Sequence, residues 1–138
     1  MTSKREVIIL LDTNFLLIQG RFKIDIFSEI DRIFDGVAIP AVTRAILQEI
    51  EILKSRSTQN FLKCLNIASG LAHKCLVLEE TREGNETIDE HIIRVSTKNK
   101  YMVATTDIDL RKILRTKGIT VVYLRQKSTL GINGMKPF

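Results

Sequence analysis

Four acidic residues stand where their carboxylates could share one metal ion. Asp12 and Asp107 each follow a short apolar run, and Glu49 borders the apolar stripe of a predicted amphipathic helix. Asp89 lies on the inner side of the first turn of another predicted helix. Four clustered carboxylates repel one another unless a cation is bound, and hard oxygen ligands select Mg²⁺ or Mn²⁺. Such a site would perform metal-assisted phosphoryl transfer, in which one ion generates a hydroxide and a second stabilises the leaving oxygen.

Each of these acids also has a purely structural explanation. Asp12 and Asp107 precede predicted helices, where a side-chain oxygen caps free backbone N–H groups. Glu49 could be a solvated residue at a helix edge, and Asp89 could complement the dipole of its helix. Its neighbour Glu90 points outward and completes a capping box, so we assign Glu90 to structure. The four acids become a site only if the fold brings them together.

The order of the predicted elements would bring them together. Apolar, β-branched runs predict strands at residues 7–11, 37–40, 75–78, 101–104 and 119–124. Helical spacing predicts helices at residues 15–18, 24–34, 41–54, 57–73, 87–98 and 107–117, with Gly20 stopping the first and Pro40 closing the second strand. This alternation indicates a parallel sheet with helices on both faces. Open sheets of this kind bind ligands at the carboxyl ends of their strands, where Asp12 and Asp107 fall. Thr13 would then be left as the capping residue.

Length and composition predict one globular domain. The chain has 138 residues, of which 44% are hydrophobic and 27% charged. No apolar run approaches the roughly 18 residues that span a bilayer, and the first residues carry no signal-peptide pattern. We therefore expect a cytoplasmic protein with no membrane partner. Cys64 and Cys75 are too far apart for a zinc knuckle and are expected to behave as small buried hydrophobes.

The positive charge fits a polyanionic partner. The net charge is +5, and cations gather on the last predicted helix and after the last strand. The candidate phosphate contacts are Arg111, Lys112, Arg115, Lys117, Arg125 and Lys127. The alternative is a solvated helix face followed by a solubilising tail. Because aromatic residues make up only 6% and none interleave with these cations, we expect recognition of the nucleic-acid backbone rather than of bases. His73 and His91 show no ligand spacing and are expected at the surface.

Between about residues 7 and 127 the sequence resembles the PIN-domain family of metal-dependent nucleases. The resemblance lies in the motif LDTN at 11–14, the segment IP at 39–40 followed by the helix of Glu49, TID at 87–89, and VATTD at 103–107. Each motif is degenerate alone, and their order and spacing make the set more specific. The family often has Asn or Arg at the position of Thr106, so we assign no role to Thr106.

The resemblance implies an architecture and a site. It implies a three-layer α/β/α fold with a five-stranded parallel sheet ordered 3-2-1-4-5, here in residues 1–127, followed by a basic, Gly- and Pro-containing tail in residues 128–138. It also implies cleavage of single-stranded RNA that leaves a 5′-phosphate, with one or two Mg²⁺ or Mn²⁺ ions. The implied metal-binding and catalytic set is Asp12, Glu49, Asp89 and Asp107, with Asn14 and Thr105 as polar neighbours. We add Asp109, two residues beyond Asp107, as a further supporting acid.

Several functions remain open at this stage. The segment 118–127 favours PIN proteins associated with ribosomal RNA processing, whose partner would be a ribosome-assembly factor. The alternatives are a VapC-type toxin ribonuclease paired with an antitoxin, and a catalytically silent RNA-binding module. A homodimer is an open alternative to a monomer. A Toprim-like phosphohydrolase built on Asp107 and Asp109 is disfavoured, because it needs a glutamate where Asp12 stands.

Overall fold

The computed structural model describes residues 6–134 and contains one mixed, mostly parallel sheet with the strand order β3-β2-β1-β4-β5-β6. The strands are β1 Val7–Leu11, β2 Ala38–Thr43, β3 Leu76–Leu78, β4 Met102–Ala104, β5 Val121–Arg125 and β6 Thr129–Asn133. The first five are parallel and follow the predicted order 3-2-1-4-5, which confirms that part of the prediction. The sixth strand is antiparallel to β5 and was not predicted.

Seven helices connect and cover these strands within the described residues. They are α1 Thr13–Leu16, α2 Ile18–Phe22, α3 Ile26–Phe34, α4 Arg44–Arg56, α5 Gln59–Ala72, α6 Ile88–Asn99 and α7 Ile108–Thr116. The predicted capping box starts α6, with Thr87 and Glu90 exchanging both hydrogen bonds. Gly118 follows the end of α7 with φ +76°, as a glycine after a helix terminus should. Among these helices none is long and apolar enough to cross a bilayer.

The sheet reverses its order at β1, and this reversal positions the acids. β1 pairs with β2 on one side and with β4 on the other. Leu11 lies opposite Ala104, and the Asp12 N–H donates to the Ala104 carbonyl at 3.0 Å. Asp12 and Thr105 therefore leave their strands side by side, at the crevice where such sheets bind ligands.

β1 is buried on both faces, as its apolar sequence predicted. Ile9, Leu10 and Leu11 are fully buried in the core. The long helix α5 packs on α1, α2 and α4. Gly20 lies inside α2 and does not stop a helix, so that prediction was wrong. Because Gly20 has no side chain, α2 can approach α5 closely. A Cβ at residue 20 would lie 3.1 Å from the Cα of Cys64.

The second strand is longer than predicted. β2 continues through Pro40 to Thr43, so α4 begins at Arg44 and not at Ala41. The neighbouring strand β3 pairs with β2 only from Ala41 onward. Pro40 therefore lies where β2 has a neighbour on one side only, and an edge of this kind tolerates a residue without an N–H group. The sequence predicts a strand end at Pro40 because it does not reveal where the neighbouring strand β3 begins to pair.

The segment after residue 127, predicted to be a tail, contains the sixth strand. Gln126 and Lys127 have φ values of 53° and 59°, and the Ser128 N–H donates to the Arg125 carbonyl at 3.1 Å. This tight turn folds Thr129–Asn133 back onto β5, where Leu130 is buried. The predicted boundary at residue 127 therefore falls in a hairpin turn. Residues 135–138, the rest of the predicted tail, lie outside the described residues.

Candidate functional site

Asp12 is a buried carboxylate at the carboxyl end of β1. Only 3% of the residue is exposed. It stands at the N-cap position of α1, but its side chain makes no capping hydrogen bond. The Thr105 hydroxyl instead donates to Asp12 Oδ2 at 2.8 Å across the crevice. The capping explanation therefore fails for Asp12, and Thr105 holds the position beside it that the resemblance implied.

The electrostatic surroundings of Asp12 disfavour its charge. Burial raises the pKa of Asp12 to about 6, and the hydrogen bond from Thr105 offsets part of that effect. The negative charges of Glu49 and Asp89 contribute the smaller part of this rise to about 6. Three of the four predicted acids thus act on one another through space at this edge of the sheet.

Glu49 reaches the crevice from α4. The buried hydroxyl of Thr13 donates to Glu49 Oε1 at 2.5 Å. Thr13 therefore orients an acid, and the predicted capping role for it was wrong. The cap of α4 is Thr43, whose hydroxyl accepts from the Ile46 N–H at 3.3 Å and so fixes the start of the helix that carries Glu49.

Asp89 and Asp107 complete the set from the other side. Asp89 is exposed in the first turn of α6, and partial burial together with the charge of Asp107 raises its pKa. Asp107 caps α7 by accepting from the Leu110 N–H at 3.0 Å, so its structural role is real. The Asp107 N–H donates to the Thr105 hydroxyl at 3.1 Å. Thr105 is thereby bonded to both acids that follow β1 and β4.

The two other predicted supporting residues are less involved. Asn14 and Asp109 are exposed in α1 and in the first turn of α7. Within residues 6–134, no hydrogen bond joins either side chain to the four acids. Both residues are close to the acids in the sequence, two residues after Asp12 and Asp107. Their roles at the site stay predictions.

The acids suit a hard cation by their chemistry, although they do not form a ready-made cage. Between residues 6 and 134, no three carboxylate, imidazole or thiol groups converge tightly enough to hold an ion. Hydroxyl groups occupy one oxygen each of Asp12 and Glu49. The donors are nevertheless all carboxylate oxygens, and besides burial their mutual charges raise the pKa of Asp12 and Asp89. Mg²⁺ and Mn²⁺ would relieve this repulsion.

Two clefts lie beside the acids. One of about 400 Å³, here called the Tyr123 cleft, is lined by Thr106, Ile108, Arg111, Tyr123, Leu124 and Arg125. The other, of about 370 Å³, contains Glu49 itself together with Arg56, Arg82 and Ile88. Sequence reasoning missed Tyr123, Arg56 and Arg82. Tyr123 alternates with Arg125 along β5, and this spacing was the available signal for a shared face.

The predicted cations divide between these surfaces. Arg111 and Arg125 line the Tyr123 cleft, while Lys112, Lys117 and Lys127 are exposed. Arg115 has a structural contact, because its guanidinium donates to the Ile119 carbonyl at 3.0 Å. That contact fixes the chain between α7 and β5. RNA binding by any of the six stays a prediction.

His91 was predicted at the surface and is fully buried. Its Nε2 lies 2.8 Å from the Thr43 hydroxyl, and its Nδ1 lies 3.3 Å from Arg94 Nη2. Burial, reinforced by the charge of Arg94, lowers the pKa of His91, so the imidazole is held neutral. The residue joins α6, which carries Asp89, to the cap of α4, which carries Glu49. His73 is exposed, as predicted.

The sequence of residues 9–127 matches the family described as PIN like domain. The mouse rRNA-processing protein FCF1 homolog is 32% identical over 117 residues, which is 84% of this chain and 56% of that protein. Ribonuclease VapC4 of Methanocaldococcus jannaschii is 31% identical over 127 residues, covering 90% of this chain and 95% of that protein. The chain thus spans about half the length of the rRNA-processing relative and nearly all of the ribonuclease.

The fold agrees with these matches. The structure of the PIN domain endonuclease Utp24 superposes with a TM-score of 0.75 at 21% sequence identity, covering 93% of this chain and 92% of that chain. At this identity the likeness concerns the fold alone. The extent of the matched sequence, which runs from β1 through β5, establishes that the chain belongs to the PIN-like domain family.

Proposed function

We propose that this protein is a metal-dependent endoribonuclease that hydrolyses phosphodiester bonds of RNA at the acidic edge of its sheet. The observation that carries the proposal is the buried Asp12 carboxylate, whose pKa is raised by burial first and then by the charges of Glu49 and Asp89. Burying a carboxylate beside other acids is costly, and perturbed carboxyl groups of this kind cluster at functional sites. The ribonuclease and the rRNA-processing protein among the matched relatives support the same reading.

Asp12, Glu49, Asp89 and Asp107 are the residues that we propose to hold one or two Mg²⁺ or Mn²⁺ ions. Bound there, the metal would supply an activated water and charge stabilisation for the leaving oxygen. The chain's own groups do the positioning. Thr105 holds Asp12 from β4, and Thr13 holds Glu49 from α1. These two hydroxyls fix the acids contributed by β1 and α4 before substrate arrives.

The substrate that we propose is single-stranded RNA, in ribosomal RNA processing. The match to the FCF1 homolog and the segment 118–127 favour this branch, and a ribosome-assembly factor would then be the protein partner. A VapC-type ribonuclease acting with an antitoxin is the second candidate. It is favoured by the match to VapC4, which extends over 95% of that protein.

The decisive test is cleavage of a fluorescent single-stranded RNA with and without Mn²⁺. We expect cleavage with Mn²⁺ and none in excess EDTA. Asp12→Asn should lower the rate at least about 100-fold, because it removes a metal-binding charge while Thr105 can still donate to the amide oxygen. The matched control is Asp31→Asn, an exposed acid on α3, which should cleave like the wild type.

Two outcomes would contradict the proposal. Cleavage that persists in EDTA, or in purified Asp12→Asn, would exclude this site as its source. Binding of RNA without cleavage at any Mn²⁺ concentration would favour the silent RNA-binding module. To separate the two branches, wild type and Asp12→Asn can be expressed in cells, since a toxin ribonuclease should arrest growth only when Asp12 is intact.

A further inference from the structure

The Tyr123 cleft opens directly beside the acidic edge. Its wall includes Thr106, which stands in the chain between Thr105, the residue that holds Asp12, and the acid Asp107. The cleft continues along the end of β5 and the first turns of α7. The cleft therefore begins one residue away in the chain from Asp107.

The cleft combines an aromatic ring with two unneutralised guanidinium groups. Arg111 stacks over the ring of Tyr123, with its central carbon 4.3 Å from the ring centroid. Elsewhere in the structure, Arg32, Arg44 and Arg94 are each paired with a glutamate. Arg111 and Arg125 have no such carboxylate partner within residues 6–134. Their charges remain available to an anion.

β6 shapes the cleft through a glycine. Gly131 lies opposite Tyr123 in the hairpin. A Cβ at Gly131 would lie 2.5 Å from Cδ of Arg125 and 3.0 Å from Cζ of Tyr123. The side chain of Arg125 can therefore fold over β6 beside the ring only because residue 131 has no side chain. Two strands and a helix thus converge at this ring, with the Arg111 guanidinium over one of its faces.

The remaining wall of the cleft combines the apolar residues Ile108 and Leu124 with the polar residues Thr106 and Gln126. Ile108 is 58% exposed and Leu124 is half-buried, and both line the same space as the two arginines. An inorganic anion would bind the cations but gain nothing from these two apolar residues. An unpaired nucleotide offers both a phosphate for the guanidinium groups and a flat base for the ring and the apolar side chains.

We propose that the Tyr123 cleft binds one unpaired nucleotide of the RNA, with its phosphate on Arg111 and Arg125 and its base against Tyr123 and Ile108. The inference rests on the proposed function for its choice of RNA as the ligand. It assigns the residues that would make the protein select single strands, because the bases of a duplex are already stacked and cannot enter the cleft.

The test measures binding apart from cleavage. A fluorescent single-stranded RNA of about ten nucleotides is titrated with protein in EDTA, and its anisotropy gives Kd. Tyr123→Leu should raise Kd about tenfold, since it removes one stacking surface. Tyr123→Phe keeps the ring and should stay within about twofold of the wild type. Arg111→Gln should also raise Kd, and it should reduce the slope of log Kd against log salt by about 0.7, the value for one phosphate contact.

The control and a base-free probe complete the design. Lys63→Gln removes one exposed positive charge from α5 and should leave Kd within about twofold. An RNA of the same length that lacks all its bases should bind wild type and Tyr123→Leu equally. Circular dichroism and thermal unfolding of each variant verify that it is folded before its Kd is compared.

The outcomes separate this inference from the proposed function. If folded Tyr123→Leu binds RNA as the wild type does, or loses equal affinity for the base-free probe, the nucleotide site is overturned. If the expected losses appear but the wild type never cleaves RNA with Mn²⁺, the site stands and the nuclease proposal fails. If the wild type does not bind single-stranded RNA at all, the inference is wrong even where cleavage is detected.

Discussion

At the scale of single residues, Asp12 links stability to pH with a definite sign. Its pKa in the folded protein is about 6, above the ordinary value of 3.8, because burial and neighbouring acids disfavour the charge. The folded state therefore holds this proton more tightly than the unfolded chain does. The resulting stabilisation is complete below pH 3.8 and is lost as the pH rises through 6. At neutral pH, without a cation, the charged carboxylate destabilises the fold.

Asp12→Asn should consequently stabilise the metal-free protein at neutral pH. A pKa raised by about 2 units corresponds to about 3 kcal/mol at 1.36 kcal/mol per unit, and this is the expected gain at pH 7.5. Near pH 4, where the carboxyl is already protonated, the gain should be under about 1 kcal/mol. Urea unfolding in EDTA at the two pH values measures it. Asp31→Asn should change stability by less than about 0.5 kcal/mol at both, and equal destabilisation by Asp12→Asn at both would contradict the prediction.

Site residues that are marked by the local sequence could be predicted. Residues whose hydrogen-bond partner lies on a distant element could not. Asp12 and Asp107 are visible in the sequence because an acid follows an apolar run. Thr13 and His91 were assigned wrongly because their partners, Glu49 and Thr43, lie 36 and 48 residues away along the chain. A partial signal existed for His91, which lies four residues before the buried Val95 on the same helix face.

At the scale of elements, hydrophobic periodicity predicted the first five strands along the chain, and the family resemblance implied their order in the sheet. Both failed where strand pairing decides. β6 was missed because Gln126 and Lys127 adopt a left-handed turn that such residues rarely take. The extent of β2 was missed because the tolerance of Pro40 depends on where β3 begins. Both errors concern where a strand ends or finds a partner. The neighbouring strand decides this, and the local sequence does not.

Gly131→Ala tests whether β6 shapes the RNA surface. The added methyl group would collide with Cγ and Cδ of Arg125 and press on the ring of Tyr123, so the flexible arginine side chain must turn away. We expect a loss of stability of about 1 kcal/mol and a several-fold weaker affinity for single-stranded RNA. Thermal unfolding and anisotropy measure the two effects. Gly70→Ala in α5 meets no atom within 4 Å and should leave RNA affinity unchanged while gaining up to about 1 kcal/mol in stability. Equal RNA affinity of Gly131→Ala and wild type would contradict the prediction.

At the scale of the whole molecule, the proposed site gathers four acids in a chain that is otherwise rich in positive charge. The chain carries 21 Lys and Arg against 16 Asp and Glu, and four of those acids belong to the proposed site. The remaining 21 and 12 leave the rest of the molecule at +9. RNA would therefore approach a positive surface around a negative edge, and a bound cation would remove the repulsion that the edge exerts on phosphate.

Mn²⁺ should accordingly stabilise the whole fold through this one edge. A ligand present at 100 times its Kd stabilises the folded state by about 2.7 kcal/mol, and Tm should rise with Mn²⁺ concentration. Asp12→Asn should remove most of this rise while Asp31→Asn keeps it. Thermal unfolding at increasing Mn²⁺ concentration, with buffer containing EDTA and no Mn²⁺ as reference, gives the result. A Tm of the wild type that does not respond to Mn²⁺ would contradict metal binding at this edge.

The hairpin of β5 and β6 also bears on how the protein behaves in solution. The segment ITVVYL at residues 119–124 combines high β-propensity with no charge, which is the composition of segments that pair between molecules. β6 covers the backbone of this segment along one side. A chain shortened to residue 127 would expose this segment as an apolar strand edge. We expect such a chain to aggregate while its acidic site stays intact.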